Sequence, residues 1–192
     1  METFDIILSI FLGIGLAAAV GFRVFLPLLI LSLAGFYDVI PLNESWQWVG
    51  SLTAVITMGV ATVIEIFGYY IPWLDNLLDT IALPLATLAG TAVMVATVTD
   101  LSPVVTWALA IIAGGGTAAA IKGNTSAARL TSSTTTGGMA NPVLTTVETG
   151  TSIVMAVASI FIPIIAFVLV LFLFFVIFRF YKKLRKKRLP RT

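Results

Sequence analysis

Long apolar runs separated by short polar breaks define this chain. Residues 6–35 are almost wholly apolar and are interrupted only at Gly21-Phe22-Arg23. A helix over that whole run would be ~45 Å long at 1.5 Å per residue, more than a ~30 Å hydrocarbon core. Two forms fit: one long tilted helix, or a helix broken near Gly21 with a short second arm from Val24 to Leu33. Gly21, Arg23 and Pro27 favour the break. A polar connector over 36–47 follows, with Asp38, Pro41, Asn43 and Glu44. Trp46 and Trp48 then mark a membrane interface, where indole rings settle.

A second span runs from about Val49 to Tyr70, carries Glu65 and is ended by Pro72. Tyr69, Tyr70 and Trp73 would form the opposite aromatic belt. From Trp73 to Ile81 the pattern is that of a short amphipathic piece, with Asp75 and Asp79 on one face and Leu74, Leu77, Leu78 and Ile81 on the other. Pro84 falls in the first turn of a third span reaching about Val98. Val104–Ile121 is a fourth apolar run, rich in glycine and alanine, and is expected to end at Lys122-Gly123-Asn124. Thr125–Ala140 is dominated by Ser, Thr, Ala and Gly, which suits a re-entrant segment or an exposed loop. Asn141-Pro142 opens a helix bearing Glu148, Ile162-Pro163 breaks or kinks it, and a strongly apolar span reaches Phe180. The expected architecture is an all-α polytopic membrane helix bundle of about six spans with broken or re-entrant helices. If both arms of each broken run enter the membrane, eight pieces penetrate it.

Composition agrees with that pattern. Apolar residues make up 59% of the 192 and charged residues only 10%, where a soluble domain carries roughly 25% charged. Mean hydropathy is +1.07. There is no cysteine and no histidine, so disulfides, thiol nucleophiles, imidazole acid–base chemistry and most zinc or haem sites are excluded. No cofactor is expected. Of the 11 basic residues, 8 lie from Arg179 onward. The positive-inside rule then makes residues 182–192 a basic cytoplasmic tail in contact with anionic lipid head groups, following one transmembrane domain over 1–181. A nucleic-acid-binding arm is the weaker alternative, since no folded partner domain accompanies it. The first residues have no basic n-region, so the first apolar run is expected to stay in the mature protein.

Five ionisable residues lie inside or beside runs otherwise too apolar for water: Arg23, Glu65, Lys122, Arg129 and Glu148. A charge at membrane depth costs at least ~2.5–3.5 kcal/mol on insertion scales and marks function or tight pairing. Glu65 and Glu148 could line a polar cavity and titrate or bind a cation; alternatively they are counter-ions to the buried cations. The three cations could hold an anion beside the exposed amides of a broken helix, or serve as the glutamates' partners. Asn141, with these five, completes the binding set. Asp75, Asp79 and Thr136 are secondary: two carboxylates alone are a weak metal signal, and the hydroxyl tract over 131–136 could coordinate an ion or only pack. No metal site is expected. Gly13, Gly15, Gly114, Gly115 and Gly116 suit close helix packing rather than a phosphate loop.

The charges also suggest an internal repeat. Gly15–Val20 resembles Gly116–Ile121, and Thr62-Val63-Ile64-Glu65 resembles Thr145-Thr146-Val147-Glu148. Halves over 4–99 and 103–181 would each hold a basic-then-acidic set. Inverted repeats with broken helices near the midplane are a transporter design.

Three blocks carry a family resemblance: Gly21-Phe22-Arg23-Val24-Phe25-Leu26-Pro27-Leu28; Glu65 through Ile71-Pro72 with Asp75 and Asp79; and Lys122, Arg129, Thr136-Gly137-Gly138, Asn141-Pro142-Val143 and Glu148. Together, from about Ile10 to Pro163, they resemble the bacterial integral-membrane family called domain of unknown function 4126. The resemblance implies a multi-pass protein of the bacterial cytoplasmic membrane but no activity.

Three functions remain in view. The first is a transporter of a small anionic solute or lipid head group with carboxylate-linked coupling. The second is a non-catalytic scaffold or assembly factor with the charges as internal glue. The third and weakest is a membrane-embedded lipid enzyme using Asp75, Asp79 and Glu65; no nucleophile constellation supports it, so the expectation is no enzyme. Expected partners are membrane lipids and a small-molecule substrate, no nucleic acid, and room is left for a homo-oligomer.

Overall fold

The computed structural model describes residues 3–188, except the side chains of Pro72, Trp73, Asn76, Phe180, Tyr181 and residues 184–188. The Trp73 part of the aromatic belt and most of the basic tail, including Arg185 to Arg188 and Arg191, therefore lie outside the described residues. The rest is helical: α1 (Thr3–Phe22), α2 (Phe25–Phe36), a 3-10 turn (Glu44–Gly50), α3 (Leu52–Gly68), α4 (Pro72–Thr97), α5 (Pro103–Leu109), a π-helical stretch (Ala110–Gly115), α6 (Gly116–Thr136), α7 (Asn141–Phe161) and α8 (Pro163–Arg188). No strand occurs among the described residues.

Four helical stretches are long and apolar enough to cross a membrane, Thr3–Phe22, Leu77–Thr97, Pro103–Thr136 and Asn141–Phe161. A fifth follows if the pair Glu44–Gly50 and Leu52–Gly68, bent by 62°, counts as one span. Phe25–Phe36 and Pro163–Arg179 are apolar but shorter, which is why the count differs from the six expected. Large apolar side chains face outward throughout, Val104 at 80% and Leu88 at 69% exposure among them. Such a surface belongs in lipid, since a soluble monomer rarely exposes apolar patches on this scale. The protein is an all-helical, multi-pass integral membrane protein.

The break after α1 is real. Helix α1 ends at Phe22, and α2 starts three residues on and turns back, so that Ile40 and Pro41 line the same hollow as Asp5 and Leu8 at the start of α1. Helix α1 is the centre of the bundle. Leu16, Ala17, Ala18, Ala19 and Val20 are fully buried, and α4, α6, α7 and α8 pack around them. Small residues permit this approach: a Cβ on Gly15 would lie 2.3 Å from Ser159 Oγ. Ile162 also ends α7 as expected, and α8 restarts at Pro163.

Three expectations fail. Pro84 does not open a span but sits inside α4, which absorbs the amphipathic piece. Lys122-Gly123-Asn124 does not end a helix; α6 runs unbroken to Thr136. The hydroxyl tract is therefore helical and not a loop. Its threonine hydroxyls bond within the helix, Thr131 to the Ala127 carbonyl at 2.9 Å and Thr135 to the Thr131 carbonyl at 2.7 Å, which satisfies them without tertiary partners. The helix stops at Gly137, whose φ of 63° is the left-handed cap conformation.

The glycine run at 114–116 has two jobs. Gly114 crosses Gly90 of α4 so closely that a Cβ there would lie 2.5 Å from the Gly90 carbonyl oxygen. The π-helical stretch coincides with this crossing. Gly116, by contrast, faces open space and needs no glycine for packing.

Candidate functional site

The ionisable residues converge at one end of the bundle, where α1, α3 and α6 finish and α4 and α7 begin. Arg23 and Lys122 are completely buried, Arg129 is 2% exposed, and Glu65, Asp75 and Glu148 are buried too. Each cation or carboxylate meets a specific partner.

The broken helix is closed from both sides. The Glu65 carboxylate accepts hydrogen bonds from the Val24 N–H (2.7 Å) and the Phe25 N–H (3.0 Å), the first free amides of α2. The Lys122 ammonium donates to the Phe22 carbonyl, the last of α1, at 3.2 Å. A negative group thus meets the positive end of one helix dipole and a positive group the negative end of the other. Pro27 lowers the demand further, since it lacks an N–H.

Arg129 is the hub of the second half of the site. Its Nε and Nη2 grip the two Glu148 oxygens at 3.1 and 2.5 Å, and its Nη1 donates to Asp75 Oδ1 at 2.5 Å. Nη2 also reaches Thr145 Oγ1 at 3.0 Å. Arg23 joins the same carboxylate more loosely, with Nη2 3.5 Å from Glu148 Oε2. Its stronger bonds go to the Thr145 carbonyl (3.0 Å) and Thr149 Oγ1 (3.1 Å). Among the described atoms, Arg23 Nη1 and Asp79 Oδ1 are buried without a hydrogen-bond partner.

Tyr69 was expected in an interfacial belt, but it is 3% exposed and holds the centre of the site. The guanidinium carbons of Arg23 and Arg129 lie 4.2 and 4.5 Å from its ring centroid, and Lys122 Nζ 5.6 Å away. A ring face that carries cations in a desolvated site is attractive to each of them. Nothing in the tyrosine's own position marks it; the signal was its spacing, one helical turn after Glu65. Thr145 was missed for the same reason: it lies three residues before Glu148 and so shares its face.

Two hollows meet at Tyr69. One, of about 230 Å³, is polar and includes Tyr70, Asp75, Ser133, Gly138 and Asn141 in its walls. The other, of about 250 Å³, is apolar and lies between α2, α3 and α4, with Glu65 at its base and Ile64, Ile81 and Leu85 along its sides. Asn141 donates from Nδ2 to Asp75 Oδ2 at 3.0 Å and to Ser133 Oγ at 3.1 Å. Thr136 stands apart: its hydroxyl donates to the Ser132 carbonyl and accepts from the Ala140 N–H, which fastens the α6–α7 turn. Among the described residues, no group of three or more acidic residues is placed to hold a metal ion.

The two basic–acidic sets therefore share one site. Lys122 closes the break that Arg23 follows, and Arg23 and Arg129 share Glu148. Glu65 stands in the last turn of α3, whereas Glu148 stands in the second turn of α7. Glu65 borders the apolar hollow, and neither hollow is bordered by both glutamates.

A buried ionic cluster at the foot of a broken helix, inside an apolar helical shell, defines a polytopic membrane protein with a polar interior. The chain belongs to the family described as Domain of unknown function (DUF4126), whose model matches residues 10–183. No curated protein and no solved structure matches it.

Proposed function

We propose that this protein is a small membrane transporter for a small anionic solute or lipid head group, with carboxylate-linked coupling and no catalytic activity. One observation carries the reading: a helix broken inside the bundle, both of its broken ends held by ionised side chains from other helices, at an apolar hollow that shares Tyr69 with a polar one. Broken helices at such sites are where transporters bind solutes and coupling ions. An anionic solute at the break would compete with Glu65 for the α2 amides and with Glu148 for the guanidiniums, so solute binding and carboxylate release are linked.

Orientation follows from α8. It starts at Pro163, in the hollow lined by Asp5 and Leu8 at the start of α1, and packs against α1 through Phe167 on Phe11 and Ala166 beside Gly15, a course that supports its leading toward the ionic end. By the positive-inside rule the basic tail supports a cytoplasmic assignment for that end, in the inner membrane of a bacterium, with anionic lipid head groups as its neighbours.

The second reading, a non-catalytic scaffold, is favoured by one feature: Arg129 is already paired with two carboxylates of this chain. Purified protein in proteoliposomes separates the two. Transport predicts flux of an anionic substrate from a panel above empty vesicles, and its loss in Glu148→Gln at unchanged protein yield. A scaffold predicts no flux, and lower melting temperature as the only effect of that change.

A further inference from the structure

The polar hollow presents acceptors. Asp75 can only accept, so the Asn141 amide must turn Nδ2 toward it, and the observed 3.0 Å bond agrees. That orientation leaves Asn141 Oδ1 without a hydrogen-bond partner although the residue is only 9% exposed. Buried amide oxygens are rarely left this way. Ser133 Oγ and the Asp75 carboxylate stand beside it in the same wall.

Charge points in the same direction. Three buried cations, Arg23, Lys122 and Arg129, face three buried carboxylates, Glu65, Asp75 and Glu148, and the partly exposed Asp79 adds a fourth. Asp79, one turn along α4 from Asp75, has a buried oxygen with no partner. With all seven ionised, the cluster is one positive charge short. A hollow of about 230 Å³ has room for one small cation with several waters. Too few carboxylates border it for a divalent ion.

The geometry points to a monovalent-cation site in this hollow, with Asn141 Oδ1, Ser133 Oγ and the Asp75 carboxylate as protein ligands and an alkali or ammonium ion as occupant. The inference deepens the transport reading and rests on it only for the cation's role as coupling ion, not for its binding.

The test is calorimetric titration of the purified full chain with sodium, potassium or ammonium chloride, with choline chloride as the oversized control. Ionic strength is held at about 0.1 M, where surface charges are largely screened. Saturable binding of at least one small cation is expected, with none for choline. Asn141→Leu should weaken it about tenfold or more, the loss of one good ligand. Should that variant fail to fold, Ser133→Ala, which keeps the Asn141–Asp75 bond, should still weaken it a few-fold. No saturable heat from any of the three salts overturns the inference, as does equal binding of choline or unchanged affinity in both variants. A response to pH alone, with none to salt, assigns the missing charge to a proton and overturns it as well. Cation binding without any flux in vesicles would sink only the transport reading; cation-independent flux without binding would sink only the site.

Discussion

Glu65 and Lys122 close opposite ends of one helix break. The carboxylate sits on the first amides of α2 and the ammonium on the last carbonyl of α1, each arriving from a different helix. The break is therefore held by two other helices at once, α3 and α6, and each charge has a measurable share in it.

Glu65→Gln replaces one acceptor oxygen with an amide donor that faces a backbone N–H. We expect a loss of about 1–3 kcal/mol, the cost of a buried donor left unmade. Thermal unfolding in detergent should show the lower midpoint, and Glu65→Asp should recover part of it. A midpoint equal to that of the parent would show that the cap contributes nothing.

Arg129 binds two buried carboxylates, so its removal strands both. Arg129→Met should cost about 3–5 kcal/mol, the range for breaking a buried ion pair. Changing Glu148→Gln in the same chain should restore part of the loss, because one stranded charge disappears. The double-variant cycle measures the coupling directly.

Gly114 and Gly116 make opposite predictions despite being two residues apart. Gly114→Ala drives a Cβ into the Gly90 carbonyl and should destabilise by about 1–3 kcal/mol. Gly116→Ala meets open space and should be neutral or gain up to about 1 kcal/mol from helix propensity. Melting curves of the two variants side by side suffice, and equal shifts would refute the crossing described for α4 and the π-helical stretch.

Tyr69→Phe keeps the ring under both guanidiniums and should fold normally. Tyr69→Leu keeps bulk but removes the ring face, and should cost about 1–2 kcal/mol or more from two desolvated cation contacts. If the two variants melt together, the ring contributes packing only.

The chain has no cysteine, so single-cysteine labelling reads its topology without background. Gly137→Cys and Lys183→Cys should react with an impermeant maleimide from one side of the membrane, and Glu44→Cys from the other. Labelling of all three from one side would contradict the bundle's arrangement.

The break at Gly21–Arg23 was legible in the sequence, because Gly, Arg and Pro within a long apolar run leave few alternatives. So were the restart at Pro163 and the depth of Arg23, Lys122, Arg129 and Glu148. Pro84 and the tract after Lys122 misled for local reasons. A proline rules out one hydrogen bond but not a helix in a packed bundle, and threonines satisfy themselves on the turn below. Tertiary choice was invisible: Asp75 reads as half of a surface pair, and only folding brings Arg129, 54 residues away in sequence, against it. The apparent repeat matched residue types but could not reveal that both sets meet in one place.

Tyr69 borders both hollows while its face carries two guanidiniums. One phenol ring is thus a wall of two chambers of different character and the seat of two cations. A change at this single position therefore acts on both hollows and on the charge cluster together.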